Sequence, residues 1–236
     1  MTLNEQAQER GLPFDDAATS AEHAEVLAQR VASALANAIS AKGNATLALS
    51  GGRSPEEFLR RLDSKEVEWS QVTLTLVDER WVPEDHADSN AAMVKRCLAS
   101  AMPKVNWIPL YRGESPEADA ARANQLFADL MPIDVLVLGM GPDGHTASLF
   151  PGMEGLEESV SPTAPDLCRA IPAEGERRAR VTMTGRAIHQ AKLVLLQIDG
   201  EEKRATLNRA FATAPTDLPV AAFLSPPMEI FYCPKG

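Results

Sequence analysis

Basic residues are in short supply. The 236-residue chain carries 23 Lys and Arg against 33 Asp and Glu, a formal net charge of −10. That deficit argues against nonspecific binding to nucleic acid or to acidic membranes, both of which need a basic surface. It also means that an anionic substrate has to be captured by a local cluster of cations. Cysteine is nearly absent: Cys97, Cys168 and Cys233 are odd in number, widely spaced and form no Cys-x-x-Cys, so neither a disulfide framework nor zinc is indicated. Free thiols suit a reducing compartment. The opening MTLNEQAQERG lacks the apolar core of a signal peptide, and no apolar run approaches the ~20 residues of a membrane span. With 44% hydrophobic content, a chain of this length buries a sizeable core. No internal repeat or linker interrupts it. The expectation is one domain over residues 1–236, cytoplasmic, a monomer or weak homodimer, with no membrane or nucleic-acid partner.

What the chain does have is a series of short apolar runs, each ending in polar or Gly-rich sequence. Residues 1–19 read as a polar lead-in with one short edge strand. Ser20 to Lys42, with Val26, Leu27, Val31 and Leu35 at helical spacing, reads as an amphipathic helix stopped by Gly43-Asn44. Strands are expected at 46–49, 72–77, 106–110, 135–138, 180–184, 192–198 and 230–232. Helices are expected from Pro55 to Leu62, from Asp88 or Ser89 to Ser100, over 116–130, 185–190 and 201–211, with a brief one at 220–224. Strand, loop and helix alternating in this way predicts an α/β protein with a mostly parallel sheet and helices on both faces. Residues 152–179, rich in Pro, Gly, Glu and Ser without a clear period, read as a long surface excursion. Arg177 and Arg178 fall in that solvated loop, and His23 and His189 read as surface or packing residues.

The stretch Asp134–Pro151, DVLVLGMGPDGHTASLFP, carries the strongest signal. An unbroken apolar run is what a strand buried on both faces shows. Gly139, Gly141, Pro142 and Gly144 then bring Asp143 and His145 to one place, the glycines allowing positive φ and close backbone approach. Thr146 and Ser148 follow, so a short helix is expected to begin there. Such a loop sits where open α/β sheets bind ligands. A structural turn whose histidine only packs is the alternative; the joint presence of a carboxylate, an imidazole and two hydroxyls favours an active site.

A second loop, Ser50-Gly51-Gly52-Arg53-Ser54-Pro55, joins a strand to a helix whose N-cap is expected to be Ser54, with Pro55 in the first helical position and Glu57 in the third. Exposed amides, hydroxyls and the positive end of the dipole would cradle a phosphate, although no Gly-Lys-[Ser/Thr] follows to make it a nucleotide loop. A third loop, Asp78-Glu79-Arg80-Trp81-Val82-Pro83, again follows a buried strand. Asp78 and Glu79 have capping and ion pairing as their alternative role, and Arg80 is favoured as functional. Asp85-His86-Ala87-Asp88 lacks further ligands at metal-like spacing, so no metal is expected.

Taken with Asp199 and Gly200, these loops resemble those of the 6-phosphogluconolactonases. The matching segments are SGGRSP at 50–55, DERWVP and DHADSN within 78–90, GMGPDGHTASLFP at 139–151, RVTMT at 180–184 and GEEK at 200–203, in the family's order and over nearly the whole chain. The resemblance implies a three-layer α/β fold similar to glucosamine-6-phosphate deaminases and ribose-5-phosphate isomerases, with room for a small subdomain. It implies hydrolysis of 6-phospho-D-glucono-1,5-lactone to 6-phosphogluconate in the oxidative pentose phosphate pathway, without metal or organic cofactor. Arg53 departs from the small hydroxylated residue often found there, leaving Ser54 to supply the hydroxyl.

Lactone hydrolysis needs an activated water, a stabiliser for the developing oxyanion and a handle for the phosphate. Histidine, with a free pKa near ~6.5, is the side-chain type suited to accept a proton at neutral pH. His145 is therefore expected to be the general base, with Asp143 orienting it and Arg80 stabilising the carbonyl oxygen. Ser50, Gly51, Gly52, Arg53 and Ser54 are expected to cradle substrate, helped by Gly141, Asp78 and Glu79, with Arg180 and Lys203 supplying charge. A sugar-phosphate isomerase or deaminase of the same fold, and a non-catalytic sugar-phosphate sensor, are the rival functions.

Overall fold

The architecture is that of a computed structural model describing residues 1–52 and 54–234. Eighteen helices and strands follow in chain order: α1 (Leu3–Glu9), β1 (Phe14–Asp16), α2 (Ser20–Lys42), β2 (Ala45–Leu49), α3 (Pro55–Asp63), β3 (Val72–Leu76), β4 (Asp78–Arg80), α4 (Asn90–Cys97), β5 (Asn106–Trp107), α5 (Pro116–Ala128), β6 (Val135–Gly139), α6 (Leu156–Val160), β7 (Cys168–Ile171), β8 (Arg180–Met183), α7 (Gly185–Gln190), β9 (Val194–Asp199), α8 (Glu201–Ala210) and β10 (Met228–Cys233).

Seven strands form one parallel sheet in the order β1-β10-β9-β6-β2-β3-β5. Its middle is apolar on both faces: every residue of β2, and Val135 to Leu138 of β6, is buried. This is the arrangement that unbroken apolar runs predict. Right-handed crossovers place α2, α3 and α4 on one face, where α2 packs on α3 and α3 on α4. The remaining crossovers run the opposite way along the sheet and put α5, α7 and α8 on the other face. The direction reverses between β2 and β6, so their carboxyl ends frame the crevice in which open α/β sheets take ligands.

Helix boundaries follow local chemistry. Thr19 caps α2 by accepting from the Glu22 amide, and Gly43 ends it in the left-handed conformation at φ 82°. Ser89 and Ser115 cap α4 and α5 in the same way, each satisfying an amide that has no partner within the helix.

Several local expectations are overturned by distant partners. The lead-in contains α1, closed by a reciprocal Thr2–Glu5 capping box, in addition to the edge strand β1. Because β1 adds alongside β10, the last strand of the chain is interior to the sheet. Asp78–Arg80 is not a loop. It is a strand, pairing antiparallel with β8 in a three-stranded sheet β4-β8-β7, so RVTMT belongs to this second sheet and not to the main one. Residues 152–179 include both α6 and β7. No helix starts at Thr146: Thr146 and Leu149 form an isolated bridge around Ala147, whose φ is 51°. Ser54 does not cap α3; its φ and ψ are already helical and its hydroxyl is turned elsewhere. His23 is not at the surface but 4% exposed, and His189 packs its ring on Phe223. No helix among the described residues is long and apolar enough to cross a membrane.

Candidate active site

A cavity of about 250 Å³ opens at the switch point. Ser50, Gly51 and Gly52 reach it from the end of β2, and Gly139, Gly141 and His145 from the end of β6. The second sheet leans over it with Asp78, Arg80 and Arg180, while Ser54, Gln197 and Lys203 close the far side.

The tightest geometry is between His145 and Asp143, where Nδ1 and Oδ1 are 2.5 Å apart. The same carboxylate oxygen accepts from the His145 amide at 3.2 Å. Burial opposes the Asp143 charge, but the hydrogen bonds and charge of His145 win, holding the carboxyl below its usual range. An ionised Asp143 accepts a proton-bearing Nδ1 and leaves Nε2 as the basic nitrogen. The Phe150 ring lies 4.7 Å from the imidazole and restricts its rotation. Gly141 makes this packing possible: a Cβ there would stand 2.2 Å from His145 Nδ1 and Cε1. Asp143 does not itself line the cavity; it stands against the Nδ1 edge of the imidazole.

Arg80 and Arg180 face one another across the β4–β8 ladder. Like charges directly opposite repel, and this pair sets two of them side by side in the cavity wall. Arg80 is anchored by Nη1 donating to the Asp88 carbonyl at 2.8 Å. Arg180 Nη1 lies 3.5 Å from Asp78 Oδ2 and 3.4 Å from Ser148 Oγ. Burial lowers the Arg180 pKa, Asp78 resists that shift and Arg80 adds to it; an arginine stays charged regardless. Asp78 is committed structurally, with Oδ2 accepting from Ser148 Oγ at 2.6 Å.

On the far side the Ser54 hydroxyl donates to Asp199 Oδ1 at 2.8 Å, and Lys203 Nζ donates to both, at 3.1 Å to Ser54 Oγ and 2.5 Å to Asp199. Burial opposes the Asp199 charge, but Lys203 and Ser54 keep its pKa lowered. Arg53, expected to touch substrate, lies outside the described residues.

Glu79 is placed away from the cavity. Its carboxylate accepts from the amides of Arg80, Asn90 and Ala91 at 2.8 Å each and from Ser89 Oγ at 3.2 Å. It thus fastens β4 to the start of α4. Burial is the main reason its pKa is pushed up to about 7, with the amides opposing and Asp78 adding to the rise.

Two cavity residues escape sequence reasoning. Gln197 sits on β9 and donates to the Ser54 carbonyl at 3.1 Å; a polar side chain within the apolar run of 192–198 was its one signal. Asn90 opens α4, and its signal was its place at the end of the matching DHADSN segment. Four polar atoms on wall residues are buried without a hydrogen-bond partner: Ser50 Oγ, Arg80 Nε, Asn90 Oδ1 and Arg180 Nε. Buried polar atoms are rarely left so, and four of them gather at this one cavity, which makes it the candidate binding site. Among the described residues no group of three or more His, Cys, Asp or Glu could hold a metal ion.

The family model for glucosamine-6-phosphate isomerases/6-phosphogluconolactonase matches residues 18–230. The chain belongs to this family. A 6-phosphogluconolactonase of Pseudomonas putida is 44% identical over 214 residues, covering 89% of this chain and 88% of that protein. One of Pseudomonas aeruginosa is 42% identical over 99% of this chain and 100% of its own. The crystal structure of a 6-phosphogluconolactonase from Shewanella baltica superposes with a TM-score of 0.88 at 31% identity, covering 94% of this chain and 97% of that one. The mostly parallel sheet flanked by helices is therefore the fold of 6-phosphogluconolactonases.

Proposed function

We propose that the chain is a hydrolase that opens 6-phospho-D-glucono-1,5-lactone to 6-phosphogluconate in the pentose phosphate pathway, with His145 as general base. One observation carries the assignment of the base: Asp143 holds His145 Nδ1 at 2.5 Å and so presents Nε2 on a wall that also bears two arginines. In this reading water attacks the lactone carbonyl carbon and gives a proton to Nε2. Charge develops on the carbonyl oxygen, where Arg80 stabilises it. Collapse breaks the bond from that carbon to the ring oxygen, which takes the proton back from His145. The carboxylic acid then ionises. At the other end Gly51 and Gly52 offer amides to the phosphate, Ser54 steadies Lys203 there by accepting from its ammonium, and Arg180 and Lys203 supply charge. No step calls for a metal or organic cofactor.

The whole chain acts as one unit in this proposal. We assign it to the cytoplasm as a monomer or weak homodimer, its three buried cysteines suiting a reducing compartment; a stable larger assembly in sedimentation would refute the oligomeric part. An isomerase or deaminase reading is less well supported, because the Asp78 carboxylate that would shuttle protons is engaged by Ser148 and Arg180. The test generates the lactone from glucose 6-phosphate with its dehydrogenase and follows its loss above the spontaneous rate. His145→Ala is expected to lower kcat by roughly 100- to 10,000-fold. Wild-type protein no faster than buffer would sink the activity; full activity in His145→Ala would sink only the base.

A further inference from the structure

Asn90 is 1% exposed, yet its side chain is only half satisfied. Nδ2 donates to the Asp78 carbonyl at 2.9 Å, which fixes which way the amide faces. The backbone amide is held by the Glu79 carboxylate at 2.8 Å, so the residue is fixed at two points. Oδ1 has no partner. It occupies the space over Gly51, where an added Cβ would stand 1.8 Å from it, and Asn90 forms part of the cavity wall. A residue so firmly fastened, with its one remaining acceptor buried and unpaired beside a glycine that makes room for it, is built to receive a hydrogen bond.

The chemistry of that acceptor narrows its partner. An amide oxygen carries partial negative charge and no proton, so it repels phosphate and carboxylate oxygens and accepts from a hydroxyl. Ser50 Oγ, on the residue next to Gly51 and likewise buried without a partner, supplies a second group suited to the same kind of ligand. We propose that Asn90 is a specificity-determining residue that reads one ring hydroxyl of the sugar, which directs the phosphate away from Asn90, toward Gly52, Ser54 and Lys203. The proposal rests on the lactonase reading and refines it by naming a substrate feature that the hydrolytic chemistry does not need. A site that hydrogen-bonds a hydroxyl rejects an analogue lacking it, because its own polar group is then left buried and unpaired.

The experiment compares kcat/KM for 6-phosphogluconolactone and for its 2-deoxy, 3-deoxy and 4-deoxy lactones, each corrected for spontaneous opening. Wild-type protein is expected to disfavour one deoxy lactone by roughly 10-fold or more. In Asn90→Leu, of similar size but without an acceptor, and in Asn90→Ala, the preference at that one position is expected to fall to about twofold or less, while the other two ratios keep their wild-type values. Thermal melting of both variants identifies any that fail to fold. Equal losses on all four lactones, or unchanged ratios in a folded variant, would overturn the proposal. Wild-type protein that opens none of the lactones would instead refute the lactonase reading on which it stands.

Discussion

Replacing Gly141 by alanine tests the catalytic geometry with a single carbon atom. The backbone tolerates the change, since Gly141 lies outside the left-handed region that glycine favours. The new Cβ would stand 2.2 Å from His145 Nδ1 and Cε1 and 2.7 Å from Asp143 Oδ1. Restoring ordinary contact at roughly 3.5–4 Å moves the imidazole by more than about 1 Å. That motion pulls Nδ1 off the carboxylate that orients it. A misplacement of about 1 Å in a catalytic group costs on the order of 100-fold, so Gly141→Ala is expected to lose about that much in kcat. The side chains it displaces are partly exposed, with Asp143 at 51% and His145 at 30%, so stability should change by less than about 1 kcal/mol. Gly144→Ala serves as the contrasting control: its φ is 79° and the new Cβ would meet Leu218 Cδ2 at 2.6 Å. That variant pays about 1–2 kcal/mol for the left-handed conformation alone, visible as a lower Tm. The assays are lactone loss in the coupled system and thermal melting. Near-wild-type kcat in a folded Gly141→Ala would mean that the Asp143–His145 contact does not set the rate, and the base assignment would fall with it.

Two further perturbations probe charge. Burial pushes the Glu79 pKa up to about 7 from the 4.5 of a free glutamate, so between those pH values the folded protein holds a proton that the unfolded chain has released. Stability therefore falls as pH rises through that window, by up to about 3 kcal/mol. Glu79→Gln is expected to flatten that slope in urea melts taken from pH 4.5 to 7.5, and a slope equal to wild type would contradict the placement of this proton. Lys203→Met removes the ammonium that reaches Ser54 and Asp199. It is expected to raise KM and the inhibition constant of inorganic phosphate about 10-fold while changing kcat less; a loss confined to kcat would place the phosphate elsewhere.

The central strands were legible because a parallel strand buried on both faces is mostly apolar, so Val135–Leu138 and the run over 46–49 read as strands. The capping serine 89 was legible because it acts on an amide within three residues. The Gly139 loop was legible as a site because its carboxylate and imidazole are two residues apart and interact locally. Other features depended on partners far along the chain. Asp78-Glu79-Arg80 has little intrinsic reason to be a strand, and becomes one because β8, about a hundred residues later, supplies its ladder. The Ser54 hydroxyl prefers Asp199 and Lys203 to its own helix. Asn90 becomes a cavity residue only once β4 and the Gly51 turn meet above the sheet. Sequence alone determined the α/β class, where the central buried strands lie along the chain and the Gly-rich turns that follow two of them, because hydrophobic period and turn composition are local. Tertiary structure alone decided which side chains converge and which are spent on scaffolding, because a hydrogen bond across 145 residues leaves no mark on either neighbourhood until the sheet brings the two together.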